Sequence, residues 1–152
     1  MDASNTPGAL KKFRRTPWRF QQTVELPAVS DRDRFVSVII AALDGFPSAA
    51  VTIDEVVFNT ERMTALIPMG FTLAHDTTIS AQSTEETHAL LLAAFWDGSN
   101  FICVPTPKPF VFYADHDDWI TFYANTKSNL NRIIEPLTSH GYKLVPDWQR
   151  KF

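Results

Sequence analysis

Apolar and polar residues alternate from Trp18 to Leu26. Trp18, Phe20, Val24 and Leu26 fall on one side with Gln22, while Arg19, Gln21, Thr23 and Glu25 fall on the other. Period two predicts a strand with one buried face, ended by Pro27. The period then changes. Phe35, Val38, Ile39, Ala42 and Leu43 recur at i, i+3, i+4, i+7 and i+8, which predicts an amphipathic helix. Ser30, with Asp33 three residues on, is the expected N-cap, and Gly45 is the expected stop.

Residues 49–79 carry a weaker pattern. The β-branched content of Val51-Thr52-Ile53 and Val56-Val57-Phe58 favours strand. A short helix is expected from Thr60 to Leu66, broken by Pro68 and Gly70, with a further strand at Phe71-Thr72-Leu73. The pattern then sharpens. Ser83-Thr84-Glu85-Glu86 is a capping box, with its carboxylates where the helix dipole favours them. The helix it opens runs through eight consecutive apolar residues, Ala89 to Trp96, and stops at Asp97-Gly98. With no polar face, that half must be buried all round or pressed against another chain, so a homodimer is open.

Three strand-like runs follow: Phe101 to Val104, Phe110 to Tyr113, and Trp119 to Tyr123. The first two are joined by the extended link Pro105-Thr106-Pro107-Lys108-Pro109, and the last two by a polar hairpin loop, residues 114–118. Asn125 or Thr126 caps a last helix carrying Leu130, Ile133, Ile134 and Leu137. Pro136 is expected to kink or divide that helix, Gly141 to stop it, and Tyr142 to Val145 to form a final strand. Strands and helices mix without βαβα alternation. The expected fold is therefore α+β: a mainly antiparallel sheet with about three helices packed on it, one compact domain over residues 17–152. Residues 1–16, basic and poor in apolar side chains, read as a flexible N-terminal tail.

Composition narrows the function classes. With 152 residues, 45% of them hydrophobic, and twelve Phe, four Trp and three Tyr, the chain can build a core without disulfides or metal. The lone Cys103 sits in an apolar run and reads as a buried, inert thiol, which fits a cytoplasmic setting. No apolar run is long enough to span a membrane, and the first residues lack the apolar region of a secretory signal. The net charge of −3 is unevenly spread. Lys11, Lys12, Arg14, Arg15 and Arg19 stand against Asp2 in residues 1–19. Residues 20–149 hold seven basic and sixteen acidic side chains, and Arg150 and Lys151 follow. An acidic body repels nucleic acid, so the basic segment at 11–19 is the one place for such a contact, and it attracts basic protein partners.

The densest polar cluster is the loop Asp115-His116-Asp117-Asp118. It fits three readings: a turn stabilised by Asp side chains, an acidic prong that docks into a basic cleft, or ligands for a divalent cation. The calcium-loop Gly and Glu positions are missing, so no metal is assigned. Trp119 and Trp148, tryptophans beside carboxylates, suit interface anchoring, and Trp96-Asp97 shares that character. Glu85-x-x-His88 occurs once, where carboxylate-bridged metal pairs need it twice. There is no nucleophile elbow, no phosphate-cradling glycine loop and no nucleotide-binding pattern, so no cofactor is expected. The expectation is a non-catalytic acidic protein-binding module, of the immunity or antitoxin kind or an adaptor, whose site is Asp115, His116, Asp117, Asp118, Trp119 and Trp148. The alternative is a small acid–base or metal-assisted enzyme using His116 with Asp115 or Asp117.

Overall fold

A computed structural model of the chain describes residues 1–5, 7–43 and 48–152. The apolar runs after Gly98 and the alternating run after Trp18 pair into one sheet. Its strands are β1 (Asp2–Ser4), β2 (Phe20–Glu25), β3 (Ser48–Glu55), β4 (Thr78–Ala81), β5 (Asn100–Thr106), β6 (Val111–Ala114), β7 (Trp119–Ala124) and β8 (Leu144–Val145). Their order across the sheet is β1-β4-β3-β5-β6-β7-β2-β8, and every neighbouring pair is antiparallel. The fold is α+β in one compact domain. Five α-helices accompany the sheet among the described residues, rather than about three: α1 (Ala9–Arg15), α2 (Arg32–Ala42), α3 (Glu61–Thr64), α4 (Thr84–Asp97) and α5 (Lys127–Ser139). The three long ones are those the sequence marks by periodicity or by a cap, α3 falls inside the short helix expected from Thr60 to Leu66, and α1 is the one without a signal.

The sheet has two dressed faces. Val51, Ile53, Phe101, Cys103, Phe112, Ile120 and Phe122 point one way and pack with Phe35, Ile39, Leu90, Phe95 and Ile133 of α2, α4 and α5 in the main core. Cys103 is fully buried there, and that burial pushes its thiol pKa up, so the thiolate is suppressed. The alternate residues Ile102, Val111, Tyr113 and Tyr123 point the other way and meet Leu10 and Phe13 of α1. This second cluster packs α1 against the sheet, within the segment expected as a tail. Leu10 and Phe13, one helical turn apart, are buried on the sheet, and Asp2–Ser4 adds an edge strand to β4.

Most element ends follow their signals. Ser83 Oγ accepts from the Glu86 backbone N–H (3.1 Å), Gly98 ends α4 in the left-handed region (φ 68°), and Thr126 Oγ1 accepts from the Asn129 N–H (3.1 Å). Others do not. The chain enters α2 through a 3-10 turn at Val29–Asp31, so Ser30 is not the cap, and the Asp31 carboxylate pairs with Arg34 (2.9 Å) instead. The expected stop at Gly45 lies outside the described residues. Val56–Phe58 and Phe71–Leu73 are loop, because β3 ends at a register shift beside Glu55 and nothing pairs with either run. Pro136 does not divide α5; it sits in the last turns, four residues before the C-cap at His140.

Candidate functional site

The β6–β7 hairpin loop lies at one end of the sheet, and its four polar residues do four different things. Asp115 is internal to the fold. Its Oδ1 accepts from the Asp117 N–H (2.8 Å) and lies 3.4 Å from the Trp119 N–H, which fixes the turn. Its Oδ2 accepts from Arg150 Nη2 at 2.6 Å, with the aspartate side chain 13% exposed and the arginine 12%. Asp117 is exposed. Asp118 adopts a positive φ of 67°, tolerated by Asp, and its exposed carboxylate lies 3.6 Å from Arg32. His116 is held by Asn100, whose Oδ1 accepts from the His116 backbone N–H (2.7 Å) and faces ring Nδ1 at 3.0 Å. That geometry places a proton on Nδ1 and leaves Nε2 facing Asp117 at 3.4 Å. An acid–base pair in this loop would therefore be His116 with Asp117, Asp115 being turned to Arg150.

The two predicted tryptophans come together. Trp119 and Trp148 meet edge to face with ring centroids 4.7 Å apart, both half-buried. Arg150 completes the group: its guanidinium lies 4.6 Å from the Tyr113 ring and 5.1 Å from Trp148, and Nε donates to Thr121 Oγ1 (3.2 Å). The C-terminal segment is thus strapped to the second face of the sheet, and the strap sets the base of the acidic loop.

The structure adds aromatic side chains that the sequence reading did not assign to this end. Phe58 is 59% exposed and stands edge-on to the His116 ring at 6.4 Å; its ring also lies beside Gly98, where an added Cβ would meet it at 3.0 Å. Trp96 is 46% exposed under the guanidinium of Arg62, 3.8 Å from its ring centroid. Arg32 joins the two halves: it donates to the Phe95 carbonyl (3.1 Å) while flanking Asp118. The apolar half of α4 is therefore not buried all round. Ala89, Leu92, Ala93 and Trp96 line an open groove of about 530 Å³ against Leu66 and Val29.

Beneath Trp96 lies the buried Asp97. Its carboxylate accepts from the backbone N–H groups of Arg62 (3.3 Å) and Met63 (2.9 Å), so the end of α4 caps the start of α3 and fixes that wall of the groove. Burial raises the Asp97 pKa, and the two backbone donors pull against it. Among the described residues no three His, Cys, Asp or Glu side chains are grouped to hold a metal ion, and no helix is long and apolar enough to cross a membrane.

No family model, curated protein or solved structure matches this chain. Its function therefore has to be read from its own geometry. The other three histidines have structural partners: His75 Nδ1 bonds the Asp54 carbonyl (2.7 Å), His88 Nε2 reaches Asp33 (2.9 Å) between α4 and α2, and His140 Nδ1 bonds the Pro136 carbonyl (2.8 Å) at the end of α5.

Proposed function

We propose that the protein is a non-catalytic binding module, immunity- or antitoxin-like or an adaptor, that docks a basic protein partner against the loop end of its sheet. The observation that carries this reading is the groove beside Trp96. An apolar stripe on α4 is headed by a half-exposed tryptophan, and Arg32, bonded to the carbonyl of the preceding Phe95, links it to the exposed carboxylate of Asp118 in the acidic loop. Aromatic anchors ringed by charge are the usual composition of interface hot spots. In this arrangement Trp96 and Phe58 supply the desolvated contact, and Asp117 and Asp118 supply steering and on-rate. Asp115, with Trp119, Trp148 and Arg150, positions the loop from behind.

The reading is tested by capture from nuclease-treated source lysate with three tagged chains: wild type, Asp117→Asn/Asp118→Asn, and Trp96→Ala. The expected result is a stoichiometric basic protein retained by wild type and depleted with each variant, the double Asp change acting more strongly at low salt. Equal recovery by all three chains would refute the site. Recovery of a second copy of the chain alone would replace the basic partner by a homodimer.

A further inference from the structure

The second face of the sheet carries an indentation that the acidic end does not explain. Over β5 to β7 this face is filled by Ile102, Val111, Tyr113 and Tyr123 beneath α1. Over β3 and β4 the same face presents Asp54, which reaches Arg14 of α1 (2.8 Å), and beside it the small side chains of Ala50, Thr52 and Thr78, which leave a gap beneath α1. The space left between them is about 240 Å³, walled by Phe13 and Trp18 and floored by Val104. Lys12 and Lys108 stand at its mouth, both exposed. Thr52 and Thr78 share one hydrogen bond of 2.8 Å, so one hydroxyl proton of the pair remains to donate.

We infer that this pocket binds a small organic carboxylate with a compact apolar body. The walls and floor suit an apolar body, and two cations with a hydroxyl donor suit an anionic head. The ion pairs among the described residues leave both lysines without a carboxylate partner; the nearby Asp54 is taken by Arg14 Nη2 (2.8 Å) and by Tyr113, whose OH donates at 2.6 Å. The volume lies below the roughly 300 Å³ at which drug-sized ligands begin, which limits the body to one ring or a short chain. A nucleic-acid strand fits less well. Trp18 donates its Nε1–H to the Phe13 carbonyl (3.0 Å), and both rings pack on Tyr123, so these aromatics are engaged in the fold rather than offered for base stacking.

The test is an NMR titration of the isotope-labelled full chain with phenylacetate, 2-phenylethanol and phenethylamine. Saturable binding of phenylacetate is expected, with amide shifts centred on Ala50, Thr52, Thr78 and Val104. The alcohol and the amine should bind about tenfold more weakly, the fold-change of losing one charge-assisted contact. The surface variant Lys12→Gln/Lys108→Gln should bind the acid no better than the alcohol while melting as wild type does, and Ala50→Leu should fill the pocket and abolish binding. Equal affinity for acid and alcohol, shifts located elsewhere, or no saturation by phenylacetate in the low-millimolar range would each overturn the inference. Displacement of phenylacetate by a single-stranded oligonucleotide would overturn it in favour of nucleic acid.

Discussion

Replacing Arg150 by Ala tests whether the C-terminal strap holds the acidic loop. Arg150 meets Asp115 at 2.6 Å, with only 12% and 13% of the two side chains exposed, and it also bonds Thr121 and lies over Tyr113. Removing one partner of a buried pair costs roughly 3–5 kcal/mol when the remaining charge stays buried. Here Asp115 sits in a surface loop beside the exposed Asp117 and Asp118, so water can reach its freed carboxylate, which lowers the expected cost to about 2 kcal/mol. For a domain of this size that is a fall of roughly 4–8 °C in Tm. Urea denaturation followed by circular dichroism, on wild type, Arg150→Ala, Asp115→Asn and the double variant, measures both the cost and the coupling. The two sites should couple by 1 kcal/mol or more, on the order found for groups in one hydrogen-bonded network. A loss below about 0.5 kcal/mol, the level of an ordinary surface substitution, or additive behaviour of the pair, would refute the strap.

Asp97→Asn isolates the buried carboxyl under Trp96. Because the folded pKa is raised, the folded chain holds this proton more tightly than the unfolded chain. The stabilisation from protonated Asp97 is complete below the ordinary value of about 3.9 and is lost as pH climbs through the raised one. Wild type should thus lose stability relative to the Asn variant from about pH 4 upward and then level off; a constant difference in pH-dependent urea melts would contradict this. Ser83→Ala removes the cap on α4 and should cost about 1 kcal/mol in the same melts, with no loss contradicting the capping assignment. Gly98→Ala forces a Cβ into the left-handed region, at a cost of roughly 1–2 kcal/mol, and pushes on Phe58. Its stability should fall by that amount; an unchanged midpoint would show that the turn relaxes freely.

Legibility followed the length and periodicity of each element. The stripe Phe35–Val38–Ile39–Ala42, the caps at Ser83 and Thr126, and the apolar runs of β5 to β7 are long enough for local pattern to agree with tertiary burial. Strand β4 is not. Thr78-Ile79-Ser80-Ala81 carries one large apolar residue, and pairing with β3 and β1 makes it a strand. Helix α1 has only Leu10 and Phe13 to bury, and its lysines and arginines suggest a solvated tail until the second sheet face is in view. The converse error falls at Val56-Val57-Phe58, whose β-branched content favours strand although it has no partner.

The candidate site shows the same division. The Asp-rich loop and Trp96 stand out in the sequence because they are dense or rare residue types. Their assembly does not, because the joining contacts are distant in the chain: Arg150 with Asp115, Arg32 with Asp118, Phe58 with His116, and Asp97 with the start of α3. The apolar run Ala89–Trp96 signalled an excess of apolar surface. Only the fold decides which residues of it, Ala89, Leu92 and Trp96, stay on the outside.

The central claim is that the groove beside Trp96 is where a partner sits. Site-specific photocrosslinking in source cells tests it most directly, with a benzophenone side chain at position 96 and, as control, at position 128 on the exposed start of α5. One discrete heavier adduct is expected from position 96, containing a basic protein, weakened by Asp117→Asn/Asp118→Asn and absent from position 128. No adduct from position 96, or the same adducts from both positions, would contradict it.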